Sequence, residues 1–415
     1  MTDLILSEKL SEFIHEKAYQ LELGAGKIIH PGANWDELKS QGTNLWLDTG
    51  DIDKADGLWN SNFSGLTTNN TLLNKEIQKG VYDNVIIEAA HLIKDVAPGF
   101  DLAKVVFEIA FILNALHGLR LVKQFDANVS VELHTDLAHN IGKSFIYGRR
   151  LHSICPKKFF VKVPLTSEGL IAAGRLQRAG IPVNLTLGFS ARQNYLAAAV
   201  TNPSFVNVFM GRLNAFVADN GLGSGENIGE KAVLATQRHV LDLRQKGISE
   251  SLLIGASMRS AEQVKTLAGI DVMTLPVSVA TEFERNPQSV IAHLDHDPEI
   301  DAKEDFINVL WDVPEDFKTA TESLIAEGFD QLTPEVISTR MAEAGYAGLF
   351  PGWMEDEIMA AETDGKIPLF ESWKDKLKER YIDLDALMNL SALESFMSDQ
   401  RALDYRIEMV VREKI

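Results

Sequence analysis

The residue with the most pointed chemistry in this sequence is Lys162. It sits in Phe159-Phe160-Val161-Lys162-Val163-Pro164-Leu165-Thr166-Ser167, an apolar run with the length and flanks of a buried strand. A buried ammonium is costly unless it is paired or neutral. An amine held in an apolar wall sheds its proton more readily and attacks carbonyl carbon, forming a Schiff base. A lone lysine in such a run can also pack its stem and send its head to water. Other residues shift that balance. Asp48, Glu132, Asn184, Thr186 and Asn207 also interrupt apolar runs. Alternate strand residues share a face, so Asn184 points with Thr186 and Asn207 points with Phe209. Each polar residue alone reads as a satisfied buried group. An amine, two carboxylates and three further polar side chains on neighbouring strands read together as a site. Arg212 and Arg259 fall just past two later strands, where a pair of guanidiniums suits a phosphate and a single one suits the surface.

The elements that must position these groups are short strands alternating with helical patterns. Apolar runs near 45–47, 65–68, 128–133, 159–165, 183–187, 205–210, 252–257 and 270–275 read as strands. Such alternation predicts a parallel sheet. The span 44–285 fits a closed (β/α)8 TIM barrel, in which groups from several strand ends converge on one face and the loops after the last strands hold phosphate. An open doubly wound sheet is the structural alternative. Residues 1–43 read as an N-terminal helical segment, with a helix over 5–22 capped by Ser7 and ended by Gly24 and Gly26. Helical stretches are predicted over 71–95 and 101–123. Residues 286–415 read as a helical C-terminal extension packed on the barrel. Its tail beyond about 345 carries apolar anchors at Leu349, Phe350, Trp353, Ile358, Phe370, Trp373, Leu377, Tyr381 and Leu387.

Composition narrows the function classes. The chain has 415 residues, a net charge of −19 and a pI near 5.0. That charge argues against non-specific nucleic-acid binding, which needs a basic face. The single cysteine, Cys155, excludes an intrachain disulfide and fits a reducing compartment. The start Met1-Thr2-Asp3-Leu4 lacks the basic and apolar regions of a signal peptide. The apolar stretches are read as too short to span a membrane. The expectation is a cytoplasmic protein with no nucleic-acid or membrane partner.

The motifs that carry the argument resemble the transaldolases. They are Leu47-Asp48-Thr49-Gly50-Asp51, Thr67-Thr68-Asn69, Glu132 in its strand, Val161-Lys162-Val163-Pro164, Asn184-Leu185-Thr186-Leu187 with Phe189-Ser190, Phe209-Met210-Gly211-Arg212 and Gly255-Ala256-Ser257-Met258-Arg259. They occur in family order across 44–285. The resemblance implies that Lys162 forms the Schiff base with a ketose phosphate. Asp48 would take the C4 hydroxyl proton, and Glu132 would shuttle protons through a water held by Thr186. Asn69 and Asn184 would bind the dihydroxyacetone unit, Ser257 would line the site, and Arg212 and Arg259 would hold phosphate. No metal and no cofactor is implied, since the iminium is the electron sink, so His134 and His139 read as helix-start residues. The partners implied are sugar phosphates: a dihydroxyacetone unit would pass from sedoheptulose 7-phosphate or fructose 6-phosphate to an aldose phosphate.

Three departures from the family pattern stand out. Asn70 replaces a usual proline, Asn207 replaces a serine that helps bind phosphate, and Gly188 replaces a bulkier apolar residue. Arg192, near the same rim, reads as a solvated charge. Related fructose 6-phosphate aldolases carry a tyrosine at the position of Phe209 and another residue at that of Glu132, so the pair here follows the transferase pattern. The alternatives are an aldolase that releases dihydroxyacetone or takes a modified sugar, and a barrel that binds sugar phosphate without turnover. The tail beyond 345 has no place in the family pattern and could pack on the barrel or on a second subunit, leaving room for a homodimer.

Overall fold

Strand alternation fixes which side chains face the barrel axis, and here it separates two chemistries cleanly. The computed structural model describes residues 2–20, 33–286 and 290–414. Its strands are β1 Asn44–Asp48, β2 Phe63–Thr67, β3 Asn128–Glu132, β4 Phe159–Pro164, β5 Val183–Thr186, β6 Phe205–Phe209, β7 Leu252–Ala256 and β8 Val272–Pro276. They form a closed barrel in sequence order, every pair parallel, with β8 pairing back onto β1. This is the (β/α)8 TIM barrel expected from the alternating patterns, with helices before and after it.

Leu45, Leu47, Val129, Val131, Val161, Val163, Leu185, Val206 and Val208 are buried in the main core that the surrounding helices share. The opposite faces hold Trp46, Phe160, Phe205, Ile254 and Val272 in a separate apolar cluster. Trp46 stacks on Phe160 at 5.7 Å, and Phe205 meets both rings edge-on at 5.0 Å. Gly65 leaves room for this packing, since a Cβ there would lie 2.7 Å from the Trp46 ring. Two residues further along the same faces come Asp48, Lys162 and Asn207. The aromatic cluster is therefore the floor beneath a polar layer, and it keeps water from reaching that layer from below.

Several local expectations need correction. The stretch 71–95 is two helices, Asn70–Ile77 and Asp83–Val96, because Gly80 turns the chain between them at φ 77°. The first helix runs Thr2–Gln20, so Ser7 lies inside it and does not cap it. Gly24 and Gly26 lie outside the described residues. A helix at Met210–Asp219 follows β6 directly and carries Arg212 on its first turn. The helix Leu102–Phe125 is long and apolar enough, by length and composition, to cross a bilayer, contrary to the expectation that no stretch is. In the fold it is mostly buried, packed against β3 and the helices around it.

Beyond the last barrel helix, Val277–Arg285, the chain passes through helices Glu315–Glu327, Pro334–Glu343, Glu355–Asp364 and Phe370–Lys378. It ends in a helix of 31 residues, Leu384–Lys414. This terminal helix packs against Asn70–Ile77, Asp83–Val96 and Leu102–Phe125. Polar clamps fix its length: Asp399 accepts from Thr71, Asp404 meets His134 at 3.1 Å, and Arg406 pairs with Asp83 at 2.6 Å. Of the expected tail anchors, Leu349, Phe370, Trp373, Leu377 and Leu387 are buried, whereas Tyr381 is 69% exposed.

Candidate active site

Register delivers the chemistry to one level. Glu132 on β3 stands opposite Lys162 on β4, and Lys162 stands opposite Asn184 on β5. Pro164 stands opposite Thr186, and Asp48 on β1 stands opposite Thr67 on β2. The carboxyl ends of these strands open into a cavity of about 390 Å³. Asp48, Asn69, Lys162, Asn184, Thr186, Asn207, Phe209, Arg212, Ser257 and Arg259 all line it. Glu132 does not; it is 3% exposed and sits in the wall beside Lys162. A larger cleft of about 510 Å³ lies between the loop after β4 and the C-terminal helices, and it holds none of these residues.

The charges form a buried cluster. Lys162 is buried, and its Nζ donates to the Thr68 carbonyl at 3.4 Å. Burial raises the carboxyls of both Asp48 and Glu132, and the Lys162 charge opposes it in each case. Asp48 accepts from Thr67 Oγ1 at 2.8 Å, which also meets Thr274 Oγ1 at 2.7 Å. Glu132 accepts the Asn70 backbone N–H at 3.1 Å. An amine thus lies among two carboxylates whose basicity burial increases, the arrangement proton exchange at a reacting carbon requires.

The polar layer is ordered and keeps open valences. Asn69 caps the helix Asn70–Ile77 by accepting the Leu72 N–H at 2.8 Å, which leaves its amide N–H groups for the cavity. Asn184 donates to Ser130 Oγ at 2.9 Å and accepts from Asn207 Nδ2 at 2.7 Å, so neighbours fix its orientation. Thr186 Oγ1 and Asn207 Oδ1 are buried without a protein partner. Unpaired buried polar atoms facing a cavity are where a water or a substrate hydroxyl binds. Leu187 and Ser257, the residues just past β5 and β7, both have φ of 66°. Such strain on bulky or polar residues clusters at functional sites.

At the rim, burial pushes the Arg212 guanidinium down to about 10, and the Arg259 charge adds to the effect. Burial also lowers Arg259, with Asp48 opposing. Among the described residues neither arginine has a carboxylate partner. Two guanidiniums at one cavity rim suit a dianion, with Asp399 acting on Arg212 and Asp48 on Arg259 only from beyond ion-pair distance.

The match with known proteins agrees with this geometry. Residues 45–336 match the model of a family described as Transaldolase/Fructose-6-phosphate aldolase. A transaldolase of Xanthomonas euvesicatoria is 30% identical over 234 residues, 55% of this chain and 71% of that protein. One from Prochlorococcus marinus is 26% identical over 278 residues, covering 65% and 82%. One from Chlamydia caviae is 29% identical over 259 residues, covering 60% and 77%. The chain belongs to the transaldolase/fructose-6-phosphate aldolase family. It is an enzyme, of the transferase type these relatives are named for.

Set against the transaldolase pattern, the departures acquire structural reasons. At Gly188 a Cβ would lie 2.2 Å from the Asn207 carbonyl, so no side chain fits. Asn207 still faces the cavity, as an amide in place of a hydroxyl. Asn70 is buried and bonds to β3. Arg192 corrects the reading of a solvated charge. It is 3% exposed and binds Asp385 through Nε at 2.9 Å and Nη2 at 2.7 Å, and Asp383 at 2.7 Å. Burial works against its charge, but the two carboxylates outweigh that and hold the guanidinium well above its ordinary range.

The structure also brings in residues that local sequence did not single out. Lys366, Ile367 and Phe396 of the C-terminal extension line the cavity, as do Lys75 and Thr274. The Phe396 ring lies 6.0 Å from Lys162 Nζ and 5.6 Å from the Arg212 guanidinium. The Lys366 carbonyl accepts from Arg212. Thr274 is findable by strand parity. The three tail residues carry no local signal, because only the fold folds the tail back over the barrel mouth. Among the described residues no group of three or more His, Cys, Asp or Glu side chains is placed to hold a metal ion.

Proposed function

We propose that this enzyme moves a dihydroxyacetone unit from a ketose phosphate to an aldose phosphate through a Schiff base on Lys162. The observation that carries the proposal is the level row Glu132–Lys162–Asn184, with Lys162 and Asn184 lining one cavity beside the unpaired Thr186 hydroxyl and Glu132 in the wall behind. The Lys162 amine attacks the C2 carbonyl of fructose 6-phosphate or sedoheptulose 7-phosphate. A water on Thr186 passes protons between the carbinolamine and Glu132 as that hydroxyl leaves as water. Asp48 takes the C4 hydroxyl proton while the C3–C4 bond breaks. The electron pair enters the iminium to give an enamine, and an aldose phosphate departs. An acceptor aldose phosphate then reverses these steps. Asn69 and Asn184 hold the hydroxyls of the three-carbon unit, and Arg212 and Arg259 hold the phosphate.

Transfer is favoured over release by Phe209. Its phenyl ring lines the cavity and offers no hydroxyl to orient water or to protonate the enamine. The test is borohydride reduction in the presence of fructose 6-phosphate, followed by peptide mass analysis. The adduct should lie on the peptide containing Lys162, and erythrose 4-phosphate should strongly stimulate fructose 6-phosphate consumption. An adduct on Lys157 or Lys158 would sink the assignment. Equal turnover with and without acceptor would turn the reading to an aldolase.

A further inference from the structure

Asn70 lies just behind the cavity residue Asn69 and is fully buried. Its backbone N–H and its side-chain N–H are both spent at the end of β3. Its backbone N–H donates to Glu132 Oε2 at 3.1 Å, and its Nδ2 donates to the Leu133 carbonyl at 3.2 Å. Its Oδ1 accepts from Asn114 Nδ2 at 2.9 Å. Asn114, on the helix Leu102–Phe125, also donates to the Glu132 carbonyl at 3.0 Å. Two asparagines from two helices therefore strap down the residue pair Glu132–Leu133. The N–H is free for this because Asn70 is the first residue of its helix, where backbone donors have no intrahelical acceptor.

We infer that Asn70 is a positioning residue for Glu132: its backbone N–H fixes one carboxylate oxygen and leaves the other for proton exchange at the lysine. The inference rests on the relay role proposed above for Glu132. It concerns a place where the chain departs from the family pattern, since a proline there has no N–H to give. A hydrogen bond to the ionised form favours that form. The other groups around Glu132 are Lys162 on β4, which favours the carboxylate, and Asp48 on β1, which opposes it. His134, paired with Asp404, and Tyr147, bonded to Glu108, share the small cavity on its outer side.

Two substitutions separate the N–H from the side chain. Asn70→Ala removes both side-chain bonds and keeps the amide; Asn70→Pro removes the amide as well. Proline is tolerated at the first helical position. It asks for an extended residue before it, and Asn69 is extended at φ −155°, ψ 172°. The Glu132 titration is followed by 13C NMR of glutamate-labelled enzyme, assigned with Glu132→Gln. The pH profile of kcat/KM with fructose 6-phosphate is measured beside it. Relative to Asn70→Ala, Asn70→Pro should raise the Glu132 midpoint and the acid limb of the profile by about one pH unit. Below the limb kcat/KM should fall about tenfold, with the alkaline plateau kept. Identical Glu132 midpoints in the two variants would overturn the inference. A midpoint that moves while the pH profile stays put would uphold Asn70 as the clamp and remove Glu132 from the relay.

Discussion

Replacing Arg192 by methionine probes a buried ion cluster that ties the C-terminal extension to the barrel rim. The side chains of Arg192, Asp383 and Asp385 are 3%, 7% and 0% exposed. Arg192 makes three charge-assisted contacts of 2.7–2.9 Å to them. Methionine keeps much of the volume but leaves two buried carboxylates, with the Ser190 hydroxyl at 2.6 Å and the Ala386 N–H at 3.0 Å still bonded to Asp385. Removing one partner of a buried ion pair destabilises by about 3–5 kcal/mol. Summing three such contacts would give more, but the aspartates can escape by protonating, and burial already raises Asp383. We therefore expect a loss of about 3–5 kcal/mol in urea unfolding at pH 7. With the arginine gone, the folded-state carboxyl of Asp383 titrates further above its unfolded value. The deficit should thus be full at neutral pH and shrink as pH falls through that raised value. Adding Asp383→Asn and Asp385→Asn should restore most of the loss. A deficit below about 1 kcal/mol at pH 7, the range of an exposed pair, would refute the reasoning.

Arg212→Met or Arg259→Met should weaken binding of phosphorylated donors by about 1.5–3 kcal/mol, read as the KM for fructose 6-phosphate, and leave an unphosphorylated ketose nearly unaffected. Equal losses with both donors would mean the arginines are structural. His117 is buried against Tyr82, whose hydroxyl meets its Nδ1 at 2.9 Å, and burial, with Arg120 adding, pushes its pKa down to about 3. Its folded value lies below the unfolded one. Its contribution is therefore complete above about pH 6.5 and drains away toward pH 3, at about 1.4 kcal/mol per pH unit. Urea unfolding of wild type and His117→Asn across pH 4–7 should show that extra slope in the wild type alone, and equal slopes would exclude it.

Much of this protein was legible in local pattern. Short apolar runs alternating with helical periods determined a parallel α/β sheet, because a parallel strand buried on both faces must be apolar and must be followed by a crossover; closure into a barrel came with the fold. Strand parity placed Asn184 with Thr186, and Asn207 with Phe209, because successive side chains alternate by backbone geometry alone. Lys162 announced itself as a charge where a charge is costly. Pattern did not determine register. That Glu132, Lys162 and Asn184 stand level depends on how each strand slides against its neighbour, which closure of the barrel sets. Nor did it show that Arg192 is buried. An arginine at a helix start looks solvated until Asp383 and Asp385, far along the chain, are brought against it. The same holds for Phe396 and Lys366 at the cavity and for the Asn70 amide on Glu132. Short-range spacing decides an element and its face, because both follow from the backbone. Which distant segment covers that face is decided only when the whole chain buries its apolar surface and pairs the polar groups it takes inside.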